Sequence, residues 1–293
     1  MLPVKARNGK VIRAGTLGFC MGVRRAVNLA CEEYFAGKVY TLGPLIHNPH
    51  VLDDLKRRGV EILDEHNLPP ALNNDSIIII RAHGINPVIE AELRERGVRV
   101  IDATCPRVKT SQLKAAAFAK SGYRLFLAGE ENHAEIAGIK GYAGAGFYAV
   151  TGNAAEARTL AARLYAEDSG AKTALIGQTT ISTEEYHAIG EAIASFFPAL
   201  EIAQTICTAT KERQERLREM LDKVDAIIIA GGKVSANTRR LFSIAEAAGK
   251  PCAIVETPAD IPPDFFGFDT IGLASGASTP DTVIDDIERV LRG

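Results

Sequence analysis

The chain has 293 residues, of which 46% are hydrophobic and 24% charged, and its formal net charge is −2. This length exceeds the size at which one hydrophobic core usually keeps growing, so we expect two or three domains. The charge argues against nucleic acid as the main partner, the apolar runs are too short for a membrane span, and the N-terminus lacks a secretion signal, so we expect a cytoplasmic protein.

Short β-rich apolar runs alternate with amphipathic helical runs along the chain. The predicted strands are, in order, KVYTL, SIIIIRA, VRVIDA, YRLFLAG, GFYAV, TALIG, DAIIIAGG, PCAIVET and DTIGLASG. The predicted helices are VLDDLKRRGVEIL, PVIEAELRERG, VKTSQLKAAAFAKSG, AAEARTLAARLYAEDSG, STEEYHAIGEAIASFF, KERQERLREMLDKV, NTRRLFSIAEAAG and DTVIDDIERVLRG, whose apolar residues recur at helical spacing. This alternation predicts an α/β fold of parallel sheets with helices on both faces.

Five cysteines are spread along the chain without a CxxC pair, which fits neither a disulfide framework nor a zinc ribbon. Cys31 lies at helical spacing and Cys252 lies on a predicted strand, so we expect both to be small buried apolar residues. Cys20, Cys105 and Cys207 differ, because each follows an extended segment and opens a helix or turn.

No low-complexity linker marks a domain boundary, so we place the boundaries from the recurring cysteine turns. They give three α/β units, spanning residues 1–105, 106–205 and 206–293, each with about four strands. If the strand ends of the three units point inward, the three cysteines meet in one polar pocket.

Polar side chains recur where the predicted strands end, which is where parallel sheets bind ligands. They are His47 in GPLIHN, His83 in RAHG, His133 and Glu135 in a loop, Thr179 in QTTIS, Ser235 and Asn237 in GGKVSANT, and Ser278 in SGAS. Imidazoles and short hydroxyl and amide groups beside Gly-rich turns suit a small phosphorylated ligand. His133 and Glu135 have the chemistry to supply and route protons.

Three converging thiolates suit an iron–sulfur cluster, and they leave one iron of a cubane open. An open coordination position distinguishes a catalytic metal site from a structural one. Purely structural roles remain open for several of these residues. Cys105 precedes Pro106 and is compatible with a buried thiol at a helix start, and Ser235 and Asn237 suit helix capping, which does not exclude anion binding.

Nine motifs, in order, resemble those of the 4-hydroxy-3-methylbut-2-enyl diphosphate reductase family, the iron–sulfur enzymes that close the methylerythritol phosphate route to isoprenoids. They are GFCMGVRRAV, GPLIHNPHV, RAHG, DATCP, HAEIAG, QTTIS, TICTATKERQ, GGKVSANT and SGASTP. The resemblance covers nearly the whole chain. It implies three α/β units around a pseudo-threefold centre, each contributing one cysteine.

The resemblance also implies the role of each site residue. Cys20, Cys105 and Cys207 would hold a [4Fe–4S] cluster, Glu135 would serve a proton relay, and His133 and Thr179 would support it. The diphosphate would be held by His47, His83, Ser235, Asn237 and Ser278. Two electrons from a donor such as ferredoxin or flavodoxin would break the C–O bond and give isopentenyl and dimethylallyl diphosphates.

The chain departs from the family pattern at two positions. Ala134 stands where the family usually has proline, so the turn that places Glu135 is expected to be less rigid. Ala236 stands where the family usually has serine, which predicts weaker substrate binding by about 0.5–1.5 kcal/mol.

Two other functions compete with the reductase hypothesis. One is a non-catalytic iron–sulfur redox sensor that uses the same cysteines and has no need of Glu135. The other is a small phosphate-ligand-binding α/β protein without iron, although the chain lacks the usual Gly-rich nucleotide motifs.

Overall fold

Strands and helices alternate through the computed structural model, which describes residues 10–33, 38–65 and 67–293. The strands are β1 (Lys10–Arg13), β2 (Lys38–Leu42), β3 (Glu61–Leu63), β4 (Ser76–Ile80), β5 (Arg99–Asp102), β6 (Arg124–Ala128), β7 (Phe147–Thr151), β8 (Thr173–Gly177), β9 (Glu201–Ile202), β10 (Ala226–Ala230), β11 (Cys252–Val255) and β12 (Thr270–Ser275). The helices are α1 (Met21–Glu33), α2 (Pro49–Arg57), α3 (Pro87–Glu95), α4 (Pro106–Lys120), α5 (Ala134–Ala143), α6 (Ala154–Glu167), α7 (Thr183–Ala194), α8 (Thr208–Leu221), α9 (Ala236–Ala247) and α10 (Asp281–Arg292). The α/β class predicted from the sequence is confirmed.

The chain divides into two compact units. The first unit consists of the described part of Met1–Val23 together with Ile46–Asp53 and Thr208–Gly293. The second unit consists of the described parts of Arg24–Leu45 and Asp54–Cys207. Within the described residues, no helix combines the length and the apolar character needed to span a membrane.

The first unit contains a four-stranded parallel sheet with the order β1-β12-β10-β11. Its central strand β10, AIIIA, is buried along its whole length. Alternate residues of β10 face opposite sides, so Ile228 packs with residues of α10 and Ile227 with residues of α8 and α9. A strand covered on both faces reads as a continuous apolar run, which is why it was predictable.

The second unit contains two four-stranded parallel sheets, with the orders β3-β2-β4-β5 and β7-β6-β8-β9. The strands β4 and β8, SIIII and TALIG, are both fully buried. In the second of these sheets, Phe126 packs with residues of α6 and α7 and Leu127 with residues of α4 and α5. The expected total of three parallel sheets with four strands each is therefore confirmed among the described residues.

All nine predicted strands are present, but one predicted helix was wrong. The run VLDDLKRRGVEIL contains α2, which ends at Arg57, and then the short strand β3. Gly59 separates them with φ +88°, a left-handed conformation that ends helices and favours glycine. The strands β1 and β9 were not predicted, because neither forms a long apolar run.

The unit boundaries placed at 105/106 and 205/206 stay a prediction. Two of the sheets lie in continuous segments, residues 38–102 and 124–202, which those boundaries separate. However, β1 pairs with β12, from Lys10 opposite Thr270 to Arg13 opposite Leu273. The first described residues therefore belong to the sheet built mainly from the last third of the chain.

Candidate active site

Cys20 lies in the turn between β1 and α1 and is half-buried. Its backbone N–H donates to the carbonyl of Ala277, at 3.0 Å, and the N–H of Gly18 donates to Oγ of Ser275, also at 3.0 Å. Ser275 ends β12, and Ala277 lies in the turn that follows. The cysteine is thus held at the carboxyl end of the sheet in the first unit.

The loops of His47 and Ser278 contact one another in the same unit. Oγ of Ser278 donates to the backbone carbonyl of His47 at 3.2 Å. Gly232 approaches this carbonyl so closely that a Cβ at position 232 would lie 2.6 Å from it. Three of the predicted post-strand segments, GPLIHN, GGKVSANT and SGAS, are therefore brought together.

Ser235 and Asn237 lie at the N-terminus of α9 and are both buried. Ser235 caps the helix, since its side chain accepts a bond from the N–H of Thr238 at 3.4 Å. Asn237 is 4% exposed, and neither Nδ2 nor Oδ1 of its amide has a hydrogen-bond partner among the described residues. A buried amide without partners costs about 1–3 kcal/mol, so this site suits a polar ligand, and a helix N-terminus favours an anion.

Cys105 lies in the second unit as the N-cap residue of α4. Its side chain makes no capping hydrogen bond, and its N–H donates to the carbonyl of Ala82 at 2.9 Å. This bond brings Cys105 beside the RAHG turn that carries His83.

The residues before Cys105 are held by a polar network. Asp102 accepts a bond from the N–H of Thr104 at 2.9 Å and pairs with Nζ of Lys109 at 3.0 Å. The Arg25 guanidinium donates to the backbone carbonyls of Asp102 and Thr104, at 3.0 and 3.3 Å. These bonds fix the DATCP turn and with it the position of the cysteine.

Among the carboxyl groups of the described residues, Glu135 has the most strongly shifted pKa. It is 1% exposed, and Thr179 donates to it twice: from its N–H to Oε1 at 2.7 Å and from its Oγ to Oε2 at 2.9 Å. Burial raises the pKa of Glu135 to about 7, although the two bonds from Thr179 act to lower it. A carboxyl with this pKa exchanges a proton readily near neutral pH.

His83, His133 and Cys207 are linked by contacts to the pair formed by Glu135 and Thr179. Nδ1 of His133 accepts a bond from the N–H of Glu135 at 3.2 Å, and the His133 ring lies perpendicular to that of His83 with centroids 5.2 Å apart. The N–H of Cys207 donates to the carbonyl of Thr179 at 3.0 Å. A chain of contacts thus joins Cys207, through Thr179 and Glu135, to both histidines.

The predicted site residues fall into two sets, one in each unit. Direct contacts join His47 and Ser278 in the first unit, where Ser235, Asn237 and Cys20 also lie at strand exits. In the second unit Cys105 lies beside the His83 turn, and Cys207 contacts Thr179. Glu135 was placed in a loop, which was wrong, because it lies in the first turn of α5 with His133 as the N-cap.

The expectation that Cys31 and Cys252 are buried was also wrong, since both are half-buried. None of the five cysteines forms a disulfide bond.

Sequence reasoning missed one buried polar residue beside the site. Gln112 on α4 is 1% exposed, and a Cβ added at Gly84 would lie 2.2 Å from its Nε2. A signal existed, because Gln112 follows Cys105 by seven residues and Gln214 follows Cys207 by the same interval. Gln214 is buried as well, at 2% exposed.

Comparisons with known proteins give matches over nearly the full length. The family model described as LytB protein matches residues 11–292. The 4-hydroxy-3-methylbut-2-enyl diphosphate reductase of Treponema denticola is 43% identical over 287 residues, covering 96% of this chain and 98% of that protein. The reductase of the same name from Aquifex aeolicus is 38% identical over 286 residues, covering 95% of this chain and 94% of that protein.

Two solved structures are similar to the whole chain. That of the E-1-hydroxy-2-methyl-but-2-enyl-4-diphosphate reductase from Plasmodium falciparum has a TM-score of 0.87 at 26% identity, covering 98% of this chain and 89% of that chain. A structure of (E)-4-hydroxy-3-methyl-but-2-enyl diphosphate reductase, described as the terminal enzyme of the non-mevalonate pathway, has a TM-score of 0.69 at 36% identity, covering 97% and 99% of the two chains.

Proposed function

Because the chain belongs to the LytB protein family, we propose that it catalyses the reaction for which its relatives are named, the reduction of 4-hydroxy-3-methylbut-2-enyl diphosphate. In this reaction the allylic C–O bond breaks and the hydroxyl group leaves as water. Two electrons and two protons are consumed, and a new C–H bond at either end of the allyl group gives isopentenyl or dimethylallyl diphosphate.

Cys20, Cys105 and Cys207 are proposed to hold a [4Fe–4S] cluster. Their chemistry fits, since each is a half-buried cysteine without a disulfide, in a turn that opens a helix. When bound by three thiolates, such a cluster supplies electrons and one Lewis-acidic iron. The backbone bonds at Cys20, Cys105 and Cys207 would keep the three sulfurs in place while that group is loaded.

The diphosphate is proposed to bind His47, His83, Ser235, Asn237 and Ser278. The unsatisfied amide of Asn237 supports this assignment, because its buried donor and acceptor require partners. The N-terminus of α9 adds backbone N–H groups and a favourable dipole for a negative charge. Ala236 stands in the same helical turn where the family usually has serine, so this chain has one hydroxyl donor fewer for the diphosphate.

Glu135 is proposed to deliver the proton that turns the leaving hydroxyl into water. The observation that carries the proposed function is the pair formed by Glu135 and Thr179, a buried carboxyl with a pKa of about 7 held by two hydrogen bonds. Such a group is protonated in part of the molecules at neutral pH, and Thr179 fixes which way the carboxyl faces. His133 would support it by holding the N–H of Glu135.

The reductant is proposed to be a small electron carrier such as ferredoxin or flavodoxin, with the reaction in the cytoplasm. Cysteines without disulfides and an iron–sulfur site are compatible with a reducing compartment. Turnover by anaerobically loaded enzyme with reduced ferredoxin and with reduced flavodoxin, each compared with a chemical reductant, tests the carrier.

The first experiment is to measure iron and acid-labile sulfide in the anaerobically reconstituted protein, followed by substrate turnover. About four of each per chain and formation of both products are expected. Glu135→Gln should keep the iron and sulfide but lose turnover by a factor of about 100 or more. A protein without iron after reconstitution contradicts the proposal, and full turnover by the glutamine variant contradicts the role of Glu135.

The same experiment separates the reductase from a redox sensor. A sensor needs the cluster and has no use for a buried proton donor, so its redox response would be unchanged in Glu135→Gln. Loss of turnover in a variant with an intact cluster therefore excludes it.

A further inference from the structure

Arg213 is a buried, charged residue that is not among the site residues described above. It lies on α8, six residues after Cys207, and is 3% exposed. Its neighbours Lys211, Glu212 and Glu215 are all exposed. Taking a guanidinium group out of water costs free energy unless the group is hydrogen-bonded. The hydrogen bonds of Arg213 must therefore offset the cost of its burial.

Two of these bonds go to the turn that carries Cys20. One terminal nitrogen of Arg213 donates to the carbonyl of Gly18 at 2.7 Å, and the other donates to the carbonyl of Thr16 at 3.3 Å. The shorter bond has the length of a strong charge-assisted hydrogen bond. The guanidinium fork therefore holds the backbone two and four residues before Cys20.

The same turn is held from its other side by the exit of β12. The N–H groups of Gly18 and Cys20 donate to Ser275 and Ala277. Gly18 has φ +74°, and a Cβ at this position would lie 2.0 Å from Oδ1 of Asp281, so the turn is also tightly enclosed. Arg213 binds the carbonyls of Thr16 and Gly18, whereas the exit of β12 binds the N–H groups of Gly18 and Cys20. Removing Arg213 therefore deprives the two carbonyls of their cationic donor.

We propose that Arg213 is a positioning residue for Cys20, whose thiolate it presents to the metal cluster by holding the carbonyls of Thr16 and Gly18. It comes from the segment after one cluster cysteine and holds the turn before another. The inference rests on the proposed function in one respect, that Cys20 is a cluster ligand. The hold on the turn itself does not require a cluster.

Amide hydrogen exchange of the cluster-free, full-length protein tests the hold on the turn. In Arg213→Met, the amides of Gly18 and Cys20 should exchange about tenfold or more faster than in the wild type. Arg213→Lys should give a smaller increase, because an ammonium group keeps the charge but lacks the planar fork. Lys211→Met is the control, since Lys211 is an exposed cationic residue on the same helix.

The amides of β10 report whether the first unit stays folded. Unchanged exchange at Gly18 and Cys20 in Arg213→Met, with β10 still protected, overturns the proposal. If β10 also exchanges faster in that variant, Arg213→Lys decides: acceleration confined to the Cys20 turn supports the proposal, and its absence overturns it.

Iron release from the reconstituted protein tests the consequence for the cluster. With a chelator under anaerobic conditions, Arg213→Met should lose iron about 10- to 100-fold faster than the wild type and Lys211→Met. Equal rates overturn the role toward the cluster. A wild type that binds no iron contradicts the proposed function instead, and amide exchange still decides whether Arg213 holds the turn.

Discussion

The carboxyl of Glu135 couples the stability of the fold to pH. Its pKa is raised from 4.5 to about 7 by burial, with partial compensation by Thr179. The native state therefore binds this proton more tightly than the unfolded chain does. The stabilisation by the proton is complete below pH 4.5 and is lost as the pH rises through about 7.

The substitution Glu135→Gln removes this titration, so it should stabilise the cluster-free protein at alkaline pH. At pH 8 we expect the free energy of unfolding to rise by up to about 3 kcal/mol relative to the wild type, with a smaller gain toward pH 5. Urea unfolding at several pH values measures it. Glu131→Gln is the control, as Glu131 is exposed, and a gain independent of pH would contradict the prediction.

The hydroxyl of Thr179 stabilises the ionised form of Glu135, so its removal should raise the pKa of Glu135 further. In Thr179→Val we expect the alkaline decline of kcat to move to higher pH, because the acid stays protonated longer. The maximal kcat should fall about tenfold, since the carboxyl is held by one bond instead of two.

The pH profile of kcat checks this prediction, with Thr180→Val as the control. Thr180 accepts a bond from Gln178 and does not bind Glu135, so the removal of its hydroxyl should leave the pH profile unchanged. A decline that moves to lower pH in Thr179→Val is the opposite of what the geometry requires.

At the scale of residues, the sequence predicted which side chains follow the strands but not their surroundings. His47, Ser278 and Asn237 were predicted as site residues from their positions alone. The unsatisfied amide of Asn237 and the burial of Arg213 could not be, because both depend on what the fold packs around a residue. Arg213 stands in the charged run KERQERLREM, which is typical of a solvated helix.

At the scale of elements, α5 shows how one substitution from the family pattern acts on a helix start. Ala134 is the first residue of α5, a position that favours proline. His133 before it has φ −77° and ψ 137°, which are the extended angles that a residue before proline prefers. Ala134→Pro should therefore fit without strain.

We expect Ala134→Pro to stabilise the protein by about 0.4–1 kcal/mol, because proline restricts the unfolded chain. Thermal unfolding of the cluster-free protein measures the gain. The bonds of Glu135 should be kept, so an altered pH profile of kcat would show that proline distorts the helix start.

Gly59 ends α2 in a left-handed conformation, and it directs the chain into β3. Gly59→Ala should destabilise the protein by about 1 kcal/mol, because a Cβ is disfavoured at this φ. Urea unfolding checks it, with the exposed helical residue Lys56→Ala as the control. An unchanged midpoint would mean that the turn relaxes without cost.

Elements with continuous apolar runs or strong helical periodicity were predicted, and short ones were not. The strands β3 and β9 have three and two residues, and their pairing depends on β2 and β8, which a local pattern does not include. The helix α5 was read as a loop because its sequence, AEIAGIKGYA, contains two glycines and lacks a clear polar face.

At the scale of the whole molecule, the three parallel sheets followed from the alternation of strands and helices. The pairing of β1 with β12 did not, because it joins residues about 260 positions apart in the sequence. A local sequence pattern does not predict which distant strands pair.

This pairing sets an order for folding during synthesis. The strands of both sheets of the second unit have been made once synthesis reaches β9, whereas β1 has no partner strand until β12 is made, about 260 residues after β1. The turn of Cys20 waits as well, because its N–H binds Ala277. A nascent chain therefore exposes Cys20 in an unformed turn until β12 and Ala277 have been made, and the proposed set of cluster ligands would be complete only after that point.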